Sequence, residues 1–264
     1  MSDIAGSNPR VKILITGMSG LIGGLIGRAL ARRYDVRALN RGPVEGVDCV
    51  RADIADLASI RPAFQDVTTV IHLAAYAHVD NNIEHHLHTN ILGAYNVFEA
   101  SREAGVKRIV LGSSGATQYY YEMEEPIKSM VEARWADIHE PRPLLTHLSP
   151  VRPAGIYGAA KVWAEALGRY YSDAHGLSVI CVRIGRVVSE DVPRDARHAA
   201  VYCSHRDIVQ IVEQCVGAPE CVRYDIFYAV SNNRGRFRDL DHAKQVIGYE
   251  PLDGIRDWPL PVKT

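Results

Sequence analysis

Apolar positions early in the chain fall into short solid runs separated by spaced sets. Val11, Ile13, Leu14 and Ile15 form a compact, largely β-branched run that stops at Thr16-Gly17, the pattern of a strand buried on both faces. Leu21, Ile22, Leu25, Ile26 and Leu30 then recur at helical spacing. Further strand-like runs lie at 35–39, 48–51, 69–73 and 108–111, with helix-like stretches at 57–64 and 88–103. Alternation of this kind predicts βαβ units, and right-handed crossovers turn those units into a doubly wound parallel sheet.

The pattern breaks between 115 and 153. This segment carries five prolines and three consecutive tyrosines, Tyr119–Tyr121. A structureless loop of that length is unusual, so one helix is expected inside it. Pro126 suits a first helical position, with Ile127, Met130, Val131 and Trp135 on one face. Regular pattern resumes with a helix from about 153 to 175, a strand over 178–184, a helix over 207–216 capped by Ser204, and a strand near 223–230. The tail beyond reads as irregular. The expected organisation is α/β: one Rossmann-type domain over 1–264, a doubly wound parallel sheet with a small substrate-binding region supplied by 115–153 and 186–264.

Composition narrows the class. The 30 Lys+Arg nearly balance the 31 Asp+Glu, which argues against a nucleic-acid partner. The sequence has no apolar run near the roughly 20 residues of a membrane span, and 1–10 has no signal-peptide core, so a cytoplasmic protein is expected. Five scattered cysteines form no C-x-x-C pair, which disfavours disulfides and thiolate zinc. His85, His86 and His88 read as a solvated helix start, and no metal is expected.

Gly17, Gly20 and Gly23 join the first strand to the first helix. Their spacing serves a tight turn, close approach of backbone to a pyrophosphate, and close helix–strand packing. Free N–H groups at the helix start then face the anion. The residues this reading places on a dinucleotide are Gly17, Ser19, Gly20, Leu21, Ile22 and Gly23, with Asp53 after the third strand. At the end of the second strand, where a carboxylate would select NAD, stand Asn40 and Arg41. Loss of the carboxylate, with a guanidinium beside it, tilts the expected cofactor, NAD(P), toward NADP.

Tyr157 and Lys161 stand one helical turn apart, so phenol and ammonium share a face. A neighbouring cation stabilises a phenolate, which allows Tyr157 to act as a base while hydride leaves for the cofactor. Ser114, at the end of the 108–111 strand region, is placed to polarise the substrate oxygen.

Together these residues resemble the extended short-chain dehydrogenase/reductase superfamily, the nucleotide-sugar epimerase and dehydratase group. The resemblance rests on Gly17-x-x-Gly20-x-x-Gly23, Asp53, His72-Leu73-Ala74-Ala75, Asn90-x-x-Gly93-x-x-Asn96, Ser113-Ser114 and Tyr157-x-x-x-Lys161. It implies a catalytic Ser114–Tyr157–Lys161 set, a cofactor groove that takes in Ile54, Leu73, Ala74, Ala75 and Asn90, and a homodimer. Within the group the chain is most similar to uronate dehydrogenases, through 90–96, Arg183-Ile184-Gly185, Ser204-His205-x-Asp207 and Gly248-Tyr249-x-Pro251. That similarity places Arg197 where the family grips a sugar carboxylate. Three departures concern the substrate side: Gly115-Ala116 replaces Asn-His, Arg186 replaces a small residue, and the 119–150 stretch is longer. Ser113, Gly115, Arg186 and Arg197 are therefore the expected substrate residues. The expected activity is hydride transfer at a carbinol or ketone carbon of a sugar-like molecule. The rivals are a redox-neutral epimerase or dehydratase and a non-catalytic NADP-sensing regulator.

Overall fold

The computed structural model describes residues 11–258 except 79 and 81. The 1–10 segment, expected to lack an export signal, lies outside the described residues. Seven strands form one sheet, parallel throughout, in the order β3-β2-β1-β4-β5-β6-β7. They are β1 (Lys12–Thr16), β2 (Asp35–Asn40), β3 (Asp48–Arg51), β4 (Thr69–His72), β5 (Arg108–Ser114), β6 (Ser178–Ile184) and β7 (Tyr224–Ala229). The strand order reverses at β1, with β2 on one side and β4 on the other, and ligands of open α/β sheets bind beyond the strand ends at such a point.

Helices cover both faces, as the solid apolar strands require. On one face α1 (Leu21–Leu30) and α8 (His205–Val216) bury Ile26, Leu30, Ile208 and Ile211 against Ile13, Ile15 and Ile180. On the other, the short α2 (Leu57–Ile60), α4 (Ala94–Glu103) and α6 (Ile156–His175) bury Ile60, Val97, Phe98, Ala164 and Tyr171 against Leu14, Val70 and Val179. Ser204 caps α8 as expected, its Oγ accepting from the Asp207 N–H at 3.1 Å.

Several boundaries depart from the sequence reading. The 57–64 stretch is α2 followed by a 3₁₀ turn, Arg61–Phe64, with Pro62 in its first turn. The stretch expected at 88–103 begins earlier, with α3 (Ile83–His85), then a π-wound segment, His86–Gly93, that runs into α4. That winding turns His86 inward, where it is fully buried. His86 is therefore not part of a solvated helix start, whereas His85 and His88 are exposed. β5 runs three residues further than expected, to Ser114.

The 115–153 segment holds a 3₁₀ stretch, Gly115–Met123, and the expected helix, α5 (Ile127–Val131). Ile127, Met130 and Val131 pack with Leu145, Phe237, Ala200 and Val201, the last two from α7 (Ala196–Val201), in a small third core. The tail is more regular than expected: α9 (Asp241–Ile247) packs beside β7. No helix among the described residues is long and apolar enough to cross a membrane.

Candidate active site

A groove of about 360 Å³ opens over the ends of β1, β2 and β4. Ten of the expected cofactor residues line it: Gly17, Ser19, Gly20, Asn40, Arg41, Asp53, Ile54, Leu73, Ala74 and Ala75. Gly17 has φ +74°, and a Cβ there would lie 2.7 Å from the Ala74 nitrogen, so only glycine fits between the loop and the β4 end. A Cβ on Gly23 would meet the Gly17 carbonyl at 2.5 Å, which makes it the packing glycine of the three. The first bond into α1 runs from the Gly24 N–H to the Gly20 carbonyl. The amides of Leu21, Ile22 and Gly23 precede it, so what these residues can offer a phosphate is backbone N–H. The Leu21 side chain faces solvent and Ile22 packs on the core.

Asn40 does not present its amide to the groove as a ribose ligand. Its Oδ1 accepts from the Met18 N–H at 2.8 Å, and its Nδ2 donates to Ser19 Oγ at 2.6 Å. It fixes the glycine loop, leaving the exposed Arg41 on the groove wall. Asp53 accepts from the Ala55 N–H at 2.9 Å and lies 3.4 Å from His88 Nε2.

Asn90 departs from its expected role. It is buried in the π-wound segment, where Oδ1 accepts from the Tyr76 N–H, and Nδ2 lies 2.9 Å from both the Tyr76 carbonyl and His86 Nδ1. With its polar atoms engaged there, it holds the chain beyond β4 in place and does not line the groove. Thr16 and His72 tie the ends of β1 and β4 together through a 2.8 Å hydrogen bond. Burial and the neighbouring Lys161 charge push His72 down to about 3, so it stays neutral.

A second cleft, of about 520 Å³, contains Ser114, Tyr157, Gly115, Arg186 and Arg197. Ser114 closes β5, its Oγ accepting from the Ala116 N–H at 3.1 Å, and its hydroxyl lines the same cleft as the Tyr157 phenol. Lys161 is buried, donates from Nζ to the Gly112 carbonyl at 2.7 Å, and lies 5.7 Å from the Tyr157 ring centre. Burial pushes Lys161 down to about 8, although Glu165, one turn further along α6, opposes the shift. Burial raises the Tyr157 phenol, and the nearby Ser114 hydroxyl works the other way. A Cβ on Gly158 would fall 2.4 Å from the Ala116 carbonyl, so a glycine beside Tyr157 lets α6 approach the β5 end.

Ser113 is a correction. Successive strand residues face opposite sides, so Ser113 cannot share the cleft with Ser114. It is buried and donates to Glu165 Oε1 at 2.6 Å. Glu165 also holds the buried Arg183 in a two-pronged pair at 2.9 and 2.8 Å. Ser113 belongs to that framework beneath the site.

The cleft also contains residues that the sequence reading missed. The buried Glu122 carboxylate accepts from Arg197 Nε at 2.5 Å, and Arg197 stacks over the Tyr119 ring at 4.6 Å. Arg238, also buried, reaches the other Glu122 oxygen at 3.4 Å, and its Nε has no partner among the described residues. Its guanidinium fills the space a side chain at Gly115 would need, with Nη2 2.7 Å from the Cβ position. Gly115 thus admits an arginine from 123 residues away, a relation with no local sequence signal. Arg186 is exposed on the cleft and makes no ion pair among the described residues. Three guanidinium groups therefore line the cleft beside the Glu122 carboxylate, which pairs with Arg197 and Arg238 but not Arg186, while Asp80, hydrogen-bonded to the Tyr76 hydroxyl, is the remaining charged lining residue.

Known proteins resemble this chain in sequence and fold. The model of the NAD dependent epimerase/dehydratase family matches residues 13–208. The NAD-dependent glucose-6-phosphate dehydrogenase of Haloferax volcanii is 33% identical over 93% of this chain and 95% of its own. The uronate dehydrogenase of Pseudomonas putida is 30% identical over 98% of this chain and 90% of its own. The crystal structure of uronate dehydrogenase from Agrobacterium tumefaciens superposes with a TM-score of 0.79 at 29% identity, covering 92% of this chain and 85% of that one. With the glycine loop in its strand–turn–helix setting and the match running through most of the chain, this protein belongs to the NAD-dependent epimerase/dehydratase family of Rossmann-fold proteins.

Proposed function

We propose that the protein is an NAD(P)-dependent dehydrogenase that moves hydride between the cofactor and a carbinol carbon of an anionic sugar. The observation that carries this reading is the placement of Ser114 and Tyr157, backed by Lys161, in a cleft walled by arginines. Leu73, Ala74 and Ala75 line the groove, and Ala77 and Asp80 line the cleft, so a dinucleotide seated on the glycine loop can extend its nicotinamide toward Tyr157. When bound, the nicotinamide supplies the hydride acceptor and, in its oxidised form, a positive charge.

The chain's own residues handle the proton and the substrate. Ser114 holds the substrate hydroxyl by a hydrogen bond. Tyr157 takes its proton in the oxidative direction and returns it in the reductive one. The Lys161 ammonium, 5.7 Å from the Tyr157 ring centre, is the charge expected to favour the phenolate. Arg186, Arg197 and Arg238 hold the anionic group at the opposite wall, their fork geometry suiting a carboxylate or a phosphate. The relatives named for glucose 6-phosphate and uronate both act on sugars that carry such a group. Arg41 supports use of NADP alongside NAD, and a relative from Haloferax volcanii, 32% identical, is named an L-arabinose 1-dehydrogenase (NAD(P)(+)). The substrate side comes from 115–153 and from the chain beyond Arg186. Exposed Leu92, Tyr95 and Tyr170, on or beside α4 and α6, support a homodimer through those helices.

The test follows absorbance at 340 nm with NAD and NADP separately against uronic acids, sugar phosphates, neutral aldoses, polyols and nucleotide sugars. Reduction with an anionic sugar, at a kcat/KM at least tenfold above its neutral counterpart, is expected. No reduction with any of these, despite cofactor binding measured by nicotinamide fluorescence, would overturn the reading in favour of redox-neutral chemistry.

A further inference from the structure

Away from both the groove and the cleft, three side chains of metal-ligand type converge on the outer edge of the sheet. His147 comes from the end of the 115–153 segment, Asp225 from β7, and His242 from α9. One ligand atom from each lies within 4.8 Å of the others. His242 Nε2 sits 2.7 Å from Asp225 Oδ1, and the two imidazoles stack with centres 3.7 Å apart. His147 Nδ1 is buried with no hydrogen-bond partner. A buried ring nitrogen without a partner is disfavoured, and it points to a group absent from the protein atoms themselves.

The electrostatics favour a cation. Two imidazoles packed face to face cannot both carry charge without repulsion. Asp239 stands beside the cluster and raises the affinity of this place for positive charge. Its carboxylate caps α9 by accepting from the His242 N–H at 3.2 Å, which fixes the backbone that carries His242. Two nitrogens and one carboxylate oxygen form the donor set of a zinc-class ion with a fourth position open to water.

We propose that His147, Asp225 and His242 bind one divalent zinc-class cation that clamps the 145–149 segment to β7 and α9. In a tetrahedral site the donor atoms stand roughly 3.4 Å apart and each ring nitrogen donates in its ring plane, so binding requires His147 and His242 to leave their stack and turn their nitrogens, with Asp225, toward one point. The clamp has a structural purpose. β7 is an edge strand, and the 145–149 segment covers its side, with the Tyr228 hydroxyl 2.7 Å from the Thr146 carbonyl. The same segment pairs with the chain that carries Arg238, through Leu145 N–H to Phe237 O at 2.7 Å and Asp239 N–H to Leu145 O at 2.9 Å. Fixing the segment therefore steadies one wall of the cleft.

The full-length protein, stripped with chelator and dialysed, is titrated with Zn²⁺ by calorimetry and with Co²⁺ by visible absorption. The expected result is one saturable site, with Co²⁺ bands of low-symmetry four- or five-coordination. Zn²⁺ at a hundredfold excess over Kd raises Tm by about 5 °C. His147→Gln and Asp225→Asn, each confirmed folded by circular dichroism, weaken binding at least tenfold. Absence of a saturable site in the wild-type protein would overturn the proposal and leave an ordinary Asp225–His242 ion pair. So would binding that survives both substitutions, or that is lost in His85→Gln instead.

Discussion

The groove over β1, β2 and β4 and the cleft beside β5 and β6 are built by different rules. The groove is local. Each contribution comes from a strand end and the turn that follows it, and much of it is backbone or small side chain: Gly17, Gly20, Ala74, Ala75. The cleft is assembled at long range. Ser114 ends β5 and Glu122 follows it, Tyr157 opens α6, Arg186 follows β6, Arg197 lies on α7, and Arg238 comes from just before α9. Binding a dinucleotide needs a shape that a short motif can encode. Choosing a substrate needs charges whose neighbours are decided only when the chain has folded.

That contrast can be broken or sharpened by substitution. Lys161 stands behind Tyr157, where the proposed mechanism needs its charge, and the largest effect is expected there. Lys161→Met is expected to lower kcat by about 10³-fold, the range of a lost acid–base contribution. Burial holds the folded-state lysine near 8, below its ordinary 10.5, so the folded protein binds this proton less tightly than the unfolded chain. The penalty is complete below pH 8 and vanishes as pH rises to 10.5. It amounts to about 3 kcal/mol, offset by about 1 kcal/mol for the lost bond to Gly112 O. The same variant is therefore expected to be more stable than the parent at pH 7, by about 2 kcal/mol in urea titration, with the difference closing between pH 8 and 10.5.

On the cleft wall, Gly115→Asn forces a side chain against Arg238 and is expected to cost about 2–3 kcal/mol in urea titration. Arg186→Ala removes a charge that has no ion-pair partner among the described residues. It is expected to raise KM for the anionic sugar about tenfold to thirtyfold, with cofactor affinity unmoved. An unchanged KM would remove Arg186 from the substrate wall. The smallest effect belongs to the groove: Arg41→Glu is expected to shift the NADP-to-NAD ratio of kcat/KM about tenfold toward NAD.

The same division explains what the sequence disclosed. The alternation of runs yielded most of the sheet and its helices, because strands buried on both faces leave solid apolar blocks. The Gly17–Gly23 spacing and the Tyr157–Lys161 pair were legible because each lies within a turn or two of backbone. Ser113 was misplaced because adjacent strand residues look alike in sequence while pointing to opposite faces; Glu165, 52 residues on, takes its hydroxyl. Asn90 was misplaced for a related reason: π winding turned it toward Tyr76 and His86. Asn40 was read for the charge it lacks, while its amide bridges Met18 and Ser19. Arg238 and Glu122 were illegible, since their partnership spans 116 residues and depends on an empty Cβ position at Gly115. The helix Asp241–Ile247 was missed because its pattern is short and follows an irregular stretch.

Tyr157 is the residue through which groove and cleft must act together, and Tyr157→Phe tests that most directly. Cofactor dissociation constant and kcat are measured on the same preparation, by nicotinamide fluorescence and absorbance at 340 nm. The account predicts a dissociation constant within about twofold of the parent and a kcat lower by about 10³-fold or more. A kcat within tenfold of the parent would contradict the assignment of Tyr157 as the acid–base group of a dehydrogenase.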